Sequence, residues 1–387
     1  MLSDQRDVER MRILFTGVPG HGHLLPLLPL ARAFGRRQTD DVAIMVPRTY
    51  VPVFAEEDMD VLPAGAENPT VIDEVIRRTG EDVRGDATRE TMVEAFTTAR
   101  IDLSADECLS AAREWRPDLI VHDPMDYVGQ FLASACDVPR AVHTFGSDVS
   151  ADFIRATTER AVKDFEGRGV WWRRASWVLD ICPSVLQVDG WQAPPGWLSL
   201  RPEAHRAPDA VASRTAKPLT GVPRVLLTFG TVYTNPEVLS PLLRELAARG
   251  AGLRVTTGTT TSPDDFAVDH DLVTFEDFLP YDELLKDIDV VVAHGGSGTS
   301  LGALAAGIPL VLAPQGADQG GQAERAAAAG AAILIAPEEL SPGAVARAVA
   351  DVLGQPGYRT SAGKVADQIA AMPSPDDVAA NLASALT

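Results

Sequence analysis

The sequence predicts an α/β protein of two domains, each built on a parallel sheet that helices cover on both faces. Short apolar runs alternate with helical lengths in both halves of the chain, as they do in parallel sheets. A stretch rich in proline and polar residues separates the two halves. The length of 387 residues agrees, because it is too long for one ordinary core and comfortable for two.

The first half opens with the strand RILFTG at residues 12–17, followed by a leucine-rich helical stretch over residues 24 to about 37. Further apolar runs, separated by helical lengths, are VAIMV at 42–46, LIVH at 119–122 and RAVH at 140–143. Such alternation implies parallel strands with ligand sites outside their carboxyl ends.

From about residue 192 to residue 223 the pattern gives way to proline, alanine and polar residues, which we interpret as the interdomain linker. The alternation then restarts with strands at 224–228, 253–257, 289–293, 309–313 and 331–335, and helices follow at 358–371 and 375–385. We therefore predict an N-terminal domain over residues 1–205, which includes the linker from about residue 192, and a C-terminal domain over 220–365. The last segment, 366–387, is expected to form a helix that packs back on the N-terminal domain.

Charge and composition exclude several classes of function. The formal net charge of −20 argues against a nucleic-acid partner, because phosphate backbones are bound by an excess of Lys and Arg. The polar start and the lack of any apolar run of bilayer length lead us to expect a cytoplasmic protein without membrane contact. Cys108, Cys136 and Cys182 are an odd, widely spaced set, which predicts neither a disulfide framework nor a zinc site.

The strongest chemical motif is DVVVAHGGSGTSLGALAAG at 289–307, a buried strand followed by a glycine-rich turn that opens a helix at about Ser297. A helix N-terminus presents unpaired N–H groups and a positive dipole end, and glycines let a diphosphate approach the backbone. A plain strand-to-helix turn is the alternative. The predicted diphosphate site comprises His294, Gly295, Gly296, Ser297, Gly298 and Thr299, with Ser300 as a further hydroxyl donor.

Two more loops end strands of the same domain. PQGADQ at 314–319 places Asp318 and Gln319 beside the glycine turn, where an acid and an amide can hydrogen-bond sugar hydroxyls. Asp318 could instead cap the helix that follows. FGTVY at 229–233 contains Gly230 and Thr231, which either donate to phosphate or form a plain turn.

Together these motifs resemble the donor signature of bacterial antibiotic glycosyltransferases of the GT-B fold. HGHLLP at 21–26, the FGT loop, FLP at 278–280, HGGSGT and the PQGADQ loop occur in that family's order and at similar spacing, over nearly the whole chain. The likeness is greatest to enzymes that attach deoxysugars to enediynes and macrolides. It implies two Rossmann-like domains that face a cleft, with the acceptor bound by the N-terminal domain and the nucleotide-sugar donor bound by the C-terminal domain. It also implies that a sugar is transferred, with inversion, from a nucleotide to a hydrophobic aglycone.

By this resemblance the turn at His294 would hold the diphosphate, Phe278 would lie near the base, and Asp318 with Gln319 would bind the sugar. His23, spaced as H-x-x-P, matches the histidine that takes the acceptor proton, a step that suits a neutral imidazole. Asp123 matches the acidic partner that orients this base. Asp126 is its rival, and a helix cap is the alternative role for Asp123.

Three departures from the family pattern qualify the donor site. Gly302 stands where many relatives carry a Glu for ribose hydroxyls, Gln322 replaces an Asn near the sugar, and Phe278 replaces a stacking Trp. A thymidine nucleotide lacks the 2′-hydroxyl, so Gly302 favours a dTDP-deoxyhexose donor. Neither glycine loop itself contains a carboxylate pair or a DxD triplet, so we expect neither a metal nor a cofactor besides this co-substrate.

The stretch VWWRRASW at 170–177, with Phe153 and Phe165 upstream, is rich in aromatic residues and arginine. Such residues could line an acceptor pocket. Helix packing with exposed arginines is the interpretation that we favour.

Other functions stay open at this point. Glycines 17, 20 and 22 with Arg48 suggest an NADP-dependent oxidoreductase, although their spacing is not GxGxxG. A sugar-nucleotide epimerase of the same fold would need no acceptor pocket, and a catalytically silent helper subunit would keep the donor motifs. The sequence also leaves a homodimer open.

Overall fold

The computed structural model describes residues 10–85, 87–146, 150–204, 221–230, 234–258, 261–269, 271–276, 279–316 and 318–386. These residues form two parallel sheets flanked by helices, as the sequence predicts. Each strand that the sequence indicates is present, with limits within two residues of those predicted.

The first sheet contains β1 Met11–Thr16, β2 Asp40–Val46, β3 Asp60–Pro63, β4 Leu119–His122, β5 Arg140–His143, β6 Trp177–Asp180 and β7 Trp197–Ser199. Its strand order is β3-β2-β1-β4-β5-β6-β7, with all pairs parallel. From β1 the chain adds β2 and β3 on one side, and it then returns to add β4 on the other side, so the strand order reverses between β1 and β4. The carboxyl ends of these two strands therefore flank a crevice, where ligands bind in open α/β sheets.

The helices of this domain are α1 His21–Leu24, α2 Leu28–Arg36, α3 Asn68–Thr79, α4 Arg89–Phe96, α5 Thr98–Trp115, α6 Tyr127–Cys136 and α7 Ala151–Gly167. The single helix predicted over residues 24–37 is divided into α1, a 3₁₀ turn at Leu25–Leu27, and α2. Pro26 lies in the first turn of the 3₁₀ segment and Pro29 in the first turn of α2. The N–H that proline lacks would have no partner within the helix at these positions.

The second sheet contains β8 Arg224–Thr228, β9 Gly252–Thr256, β10 Val273–Glu276, β11 Val290–Ala293, β12 Leu310–Leu312 and β13 Ala332–Leu334, in the parallel order β10-β9-β8-β11-β12-β13. Its helices are α8 Pro236–Ala248, α9 Tyr281–Leu284, α10 Ser297–Ala305, α11 Gln319–Ala328, α12 Pro342–Gly354, α13 Pro356–Ala371 and α14 Pro375–Leu386. In this sheet the strand order reverses between β8 and β11, which are neighbours. The glycine loops that follow these two strands therefore lie side by side.

Two interpretations of the sequence need correction. β7 lies inside the segment that we interpreted as linker, because a three-residue strand at a sheet edge leaves no apolar alternation to recognise. The aromatic stretch is not helical: α7 ends at Gly167 and β6 begins at Trp177. Trp171 is 75% exposed, and Trp172 lies over the guanidinium of Arg140, 5.6 Å from carbon to ring centroid.

The end of the chain lies against the first domain. α14 contacts α2, and Arg36 Nη2 is 2.7 Å from Oδ1 of Asp376. Val378 and Leu382 join the apolar cluster that contains Phe34. Within the described ranges, none of the helices is both long enough and apolar enough to cross a bilayer.

Candidate active site

The carboxyl ends of the two sheets face each other across a cleft of about 850 Å³. The first domain contributes His23 and an apolar wall, and the second domain contributes both glycine loops and the loop before α11. Thr231 and Phe278 lie outside the described residues. The predicted residues that border the cleft are His23, Gly230, His294, Gly296, Ser297, Gly298, Thr299, Asp318 and Gln319.

His23 lies in α1, directly after β1, and 28% of its side chain is exposed. Its Nδ1 is 3.4 Å from Oδ1 of Asp123, which follows β4. This is an ion-pair distance, although the two atoms are not in hydrogen-bond geometry. Asp123 is buried and anchored: its Oδ2 accepts from the N–H of Val18 at 2.7 Å, and its Oδ1 accepts from that of Met125 at 2.7 Å.

Asp126, the rival of Asp123, has a structural role. Its Oδ1 accepts from the backbone N–H groups of Val128 and Gly129, each at 3.1 Å, and so caps α6. Its Oδ2 accepts from the hydroxyl of Thr16 at 2.5 Å. Burial, reinforced by the neighbouring Asp123, raises the pKa of Asp126 to about 6. Both of its oxygens are occupied, and it is Asp123 that faces the histidine.

Opposing effects set the pKa of His23. Burial lowers it, but the carboxylate of Asp123, with a further contribution from Asp318, outweighs burial and holds the pKa above its ordinary value. For Asp123 burial raises the pKa, while His23 and the backbone N–H groups lower it to below its usual range. The pair is therefore arranged to keep the carboxylate ionised while the imidazole holds a proton, as a general base must after proton transfer.

The loops after β8 and β11 close around the imidazole of His294, a residue that is 8% exposed. A Cβ on Gly230 would lie 2.9 Å from its Cε1, and a Cβ on Gly296 would lie 2.4 Å from its Nε2. Only glycine allows both backbones to approach so closely. Burial lowers the pKa of His294, although the backbone of Thr228 and the charge of Asp318 act in the opposite direction.

Helix α10 begins at Ser297, directly after this turn, with its N-terminus at the cleft. The hydroxyl oxygens of Ser297 and Ser300 have no hydrogen-bond partner among the described residues. A Cβ on Gly298 would meet nothing within 4 Å, so the first turn of the helix is open to the cleft. Unpaired N–H groups, free hydroxyls and the helix dipole together suit an anion.

Asp318 stands at the N-cap position of α11, but its side chain makes no capping hydrogen bond. Its Oδ2 instead accepts from Nε2 of Gln322 at 3.1 Å. Oε1 of Gln319 accepts from the N–H groups of Gln315 at 2.7 Å and Gly316 at 3.2 Å, which fixes the loop. The amide nitrogen of Gln319 and the carboxylate of Asp318 are thus the groups with capacity for sugar hydroxyls.

Gly302 packs against an aromatic ring that the sequence did not identify. A Cβ on Gly302 would lie 2.7 Å from Cδ1 and 2.7 Å from Cε1 of Tyr281, which borders the cleft. The hydroxyl of Tyr281 donates to the carbonyl of Thr299 at 3.0 Å and so ties α9 to the first turn of α10. Any longer side chain at residue 302 would collide with this ring.

The apolar wall of the cleft comes from three segments of the first domain. α4 supplies Met92 and Phe96, the loop after β5 supplies Phe145, and α7 supplies Phe153. The edge of Phe145 meets the ring of His23, with centroids 5.1 Å apart. Phe145 lies in the loop after a predicted strand, and this position could have identified it as a residue of the cleft. The residues of α4 belong to no motif. Residues 170–177 do not border the cleft.

The two domains also touch at the cleft. Gly146, in the loop after β5, has a positive φ of 138°, and a Cβ there would lie 2.3 Å from Nε2 of Gln322 and 2.5 Å from Oγ of Ser297. In the part of the chain that the structure describes, no group of three or more His, Cys, Asp or Glu residues is arranged to hold a metal ion.

Both halves of the chain match one protein family. The N-terminal domain of erythromycin biosynthesis protein CIII-like proteins matches residues 41–203, and the C-terminal domain matches residues 242–385. The elloramycin glycosyltransferase ElmGT of Streptomyces olivaceus is 30% identical over 402 aligned positions, which cover 97% of this chain and 97% of the relative. These matches span both domains and therefore the entire cleft.

Solved structures share the whole architecture. The glycosyltransferase SnogD from Streptomyces nogalater superposes with a TM-score of 0.80 at 25% identity, covering 98% of this chain and 100% of that chain. The spinosyn rhamnosyltransferase SpnG does so with a TM-score of 0.79 at 25% identity, covering 97% and 99%. SpnG has also been solved with thymidine diphosphate and with spinosyn aglycone. The chain thus belongs to the erythromycin CIII-like family of antibiotic glycosyltransferases and is a natural-product glycosyltransferase of the GT-B fold.

Proposed function

We propose that this glycosyltransferase transfers a deoxysugar from a dTDP-sugar to a hydroxyl group of a hydrophobic natural product, with inversion at the anomeric carbon. The observation that carries the proposal is that the His23–Asp123 pair and the N-terminus of α10 face each other across one cleft. Thymidine diphosphate and an aglycone are bound by SpnG in its complexes, which supports the same two classes of substrate here.

The mechanism follows from the placement of these groups. His23 takes the proton of the acceptor hydroxyl, and the imidazolium is stabilised by Asp123. The hydroxyl oxygen bonds to the anomeric carbon as the bond to the diphosphate breaks through an oxocarbenium-like state. Because the base and the leaving-group site lie on opposite walls, a single displacement inverts the configuration.

We propose that the leaving diphosphate is received without a metal ion. Its negative charge develops at the N-terminus of α10, beside the open Gly298 and the hydroxyl of Ser297. The ring of His294 packs between Gly230 and Gly296 and so supports this turn. Asp318 and Gln319 would hold the sugar between the two walls.

The identity of the nucleotide is proposed from the contact of Tyr281 with Gly302. This pair presents an aromatic ring and no carboxylate, so residue 302 offers no charged acceptor to a 2′-hydroxyl. A thymidine nucleotide, which lacks that hydroxyl, loses nothing there. The apolar wall with Phe96, Phe145 and Phe153 favours a hydrophobic acceptor.

Product analysis tests this function. The protein is incubated with dTDP-rhamnose and a set of hydroxylated polyketide aglycones, and products are identified by mass and by the anomeric proton in NMR. We expect glycosides of inverted configuration. Retained configuration would contradict the single displacement, and dTDP binding without any glycoside would favour the helper-subunit alternative.

A further inference from the structure

A second histidine, His143, closes β5 and borders the same cleft, although it is only 2% exposed. Side chains alternate along a strand, so His143 shares a face with Ala141. Ala141 belongs to the apolar cluster around α2, while Arg140 points to the other face and contacts His122. His143 therefore lies on the sheet face that carries His23.

Nδ1 of His143 is buried and lacks a well-formed hydrogen bond. No described group lies in hydrogen-bond geometry with its Nδ1, and the backbone of His143 and Thr144 supplies its nearest polar neighbours. His122, at the same depth on the next strand, is fully bonded instead. Its Nδ1 is 2.6 Å from the carbonyl oxygen of Asp123, and its Nε2 is 2.9 Å from Nη1 of Arg140.

This difference points to a ligand. Buried polar atoms in proteins are nearly always paired, and an unpaired one that borders a cleft is expected to bond whatever fills the cleft. Around His143 the cleft is lined by Met125, Phe145, Ile181 and Leu200, so its partner belongs to an apolar molecule and not to a diphosphate.

The protonation state of His143 defines the kind of partner. Burial lowers the pKa of His143 to about 4, so its ring is neutral near pH 7. A neutral ring has one donor and one acceptor nitrogen. No carboxylate bonds His143, and the charge of Asp123, which raises its pKa, does not outweigh burial. A neutral imidazole suits a hydroxyl or carbonyl group, and it is poorly suited to hold a proton.

We propose that His143 hydrogen-bonds a hydroxyl or carbonyl oxygen of the acceptor and thereby positions the reacting hydroxyl beside His23. The inference rests on the proposed function, because it takes the apolar half of the cleft as the acceptor site. The predicted acceptors carry a second oxygen near the hydroxyl that receives the sugar.

The first test needs no ligand. His143→Leu replaces the imidazole by an apolar side chain of similar size, and His122→Leu is the matched control on the other face of the sheet. If His143 serves a ligand, the melting temperature of His143→Leu equals or exceeds that of the wild type, while His122→Leu melts lower because it leaves Nη1 of Arg140 without its partner. An equal loss of stability in both variants would assign His143 a structural role and overturn the inference.

The second test measures binding by equilibrium dialysis in the presence of dTDP. Alizarin, which has adjacent hydroxyl and carbonyl oxygens, is compared with naphthalene, which has none. His143→Leu should weaken binding of alizarin by about 3- to 10-fold, as expected for one neutral hydrogen bond, and leave that of naphthalene and dTDP unchanged. His143→Gln should recover part of the loss.

The outcomes separate the two proposals. Unchanged binding of alizarin by His143→Leu overturns the inference and leaves the proposed function intact. A wild type that binds dTDP but neither aromatic probe contradicts the proposed acceptor class, and the inference fails with it.

Discussion

Nδ1 of His23 lies 3.4 Å from Oδ1 of Asp123, and two backbone N–H groups hold that carboxylate in place. An anchored carboxylate selects the imidazole tautomer with its proton on Nδ1, which leaves Nε2 as the proton acceptor. The pH dependence of transfer follows from this relationship.

The value of kcat/KM should fall as the pH drops through the pKa of His23, because only the unprotonated ring is a base. Asp123 raises this pKa, so the acidic limb lies above pH 6.5. Asp123→Asn removes the negative charge that raises the pKa of His23, so the acidic limb of the pH profile should move to lower pH. The maximal rate should fall roughly 10²- to 10⁴-fold. If the acidic limb stays at the same pH in Asp123→Asn, groups other than this pair determine the pH dependence of kcat/KM.

His23→Ala should reduce transfer by roughly 10²- to 10⁴-fold, the usual contribution of a general base. Binding of dTDP, measured by calorimetry, should be unchanged, because His23 belongs to the domain opposite the glycine turn. His21→Ala is the matched control, since His21 lies in the same helix and packs against Tyr50 at 5.7 Å. Simultaneous loss of transfer and dTDP binding in His23→Ala would make His23 a donor ligand.

Gly146→Ala should force the two domains apart. The added Cβ would overlap Gln322 and Ser297, and the positive φ of Gly146 adds strain. We expect a larger radius of gyration in X-ray scattering and a lower rate of transfer. Gly357→Ala is the control, because a Cβ there meets nothing within 4 Å. If Gly146→Ala scatters like the wild type, the contact at Gly146 does not set the width of the cleft.

Transfer should be insensitive to EDTA. In the proposed mechanism helix α10 and the donors of its first turn meet the charge of the diphosphate, so the chemical step should require no cation. Rates are compared before and after exhaustive chelation, and again after addition of Mg²⁺. A strict dependence on Mg²⁺ would contradict this part of the mechanism.

The sequence was most informative where strands are buried on both faces. β4 and β11 are continuous apolar runs and are predicted within a residue of their limits. β3, β7 and β10 lie at sheet edges and are only partly buried, so they carry no comparable pattern. The alternation of strands and helices thus predicts the architecture and the edge strand β13, but neither the other three edge strands nor β6 inside the first sheet.

The site was predictable where it depends on motifs and not where it depends on packing. Asp123 could be distinguished from Asp126 only after the start of α6 was known, because Asp126 caps that helix whereas Asp123 lies at an ion-pair distance from His23. Tyr281 and His143 belong to no motif, and strand order and helix packing bring them to the cleft. A one-dimensional pattern contains no information on such contacts.

The central claim, that this is a dTDP-sugar-dependent transferase, is tested most directly by competitive calorimetric titration of dTDP and UDP. The ring of Tyr281 occupies the space beside Gly302, so residue 302 supplies no carboxylate to bond a ribose 2′-hydroxyl. We predict that dTDP binds more tightly than UDP by about tenfold, roughly the contribution of one hydrogen bond to a charged group. Tighter binding of UDP would contradict the assignment of the donor.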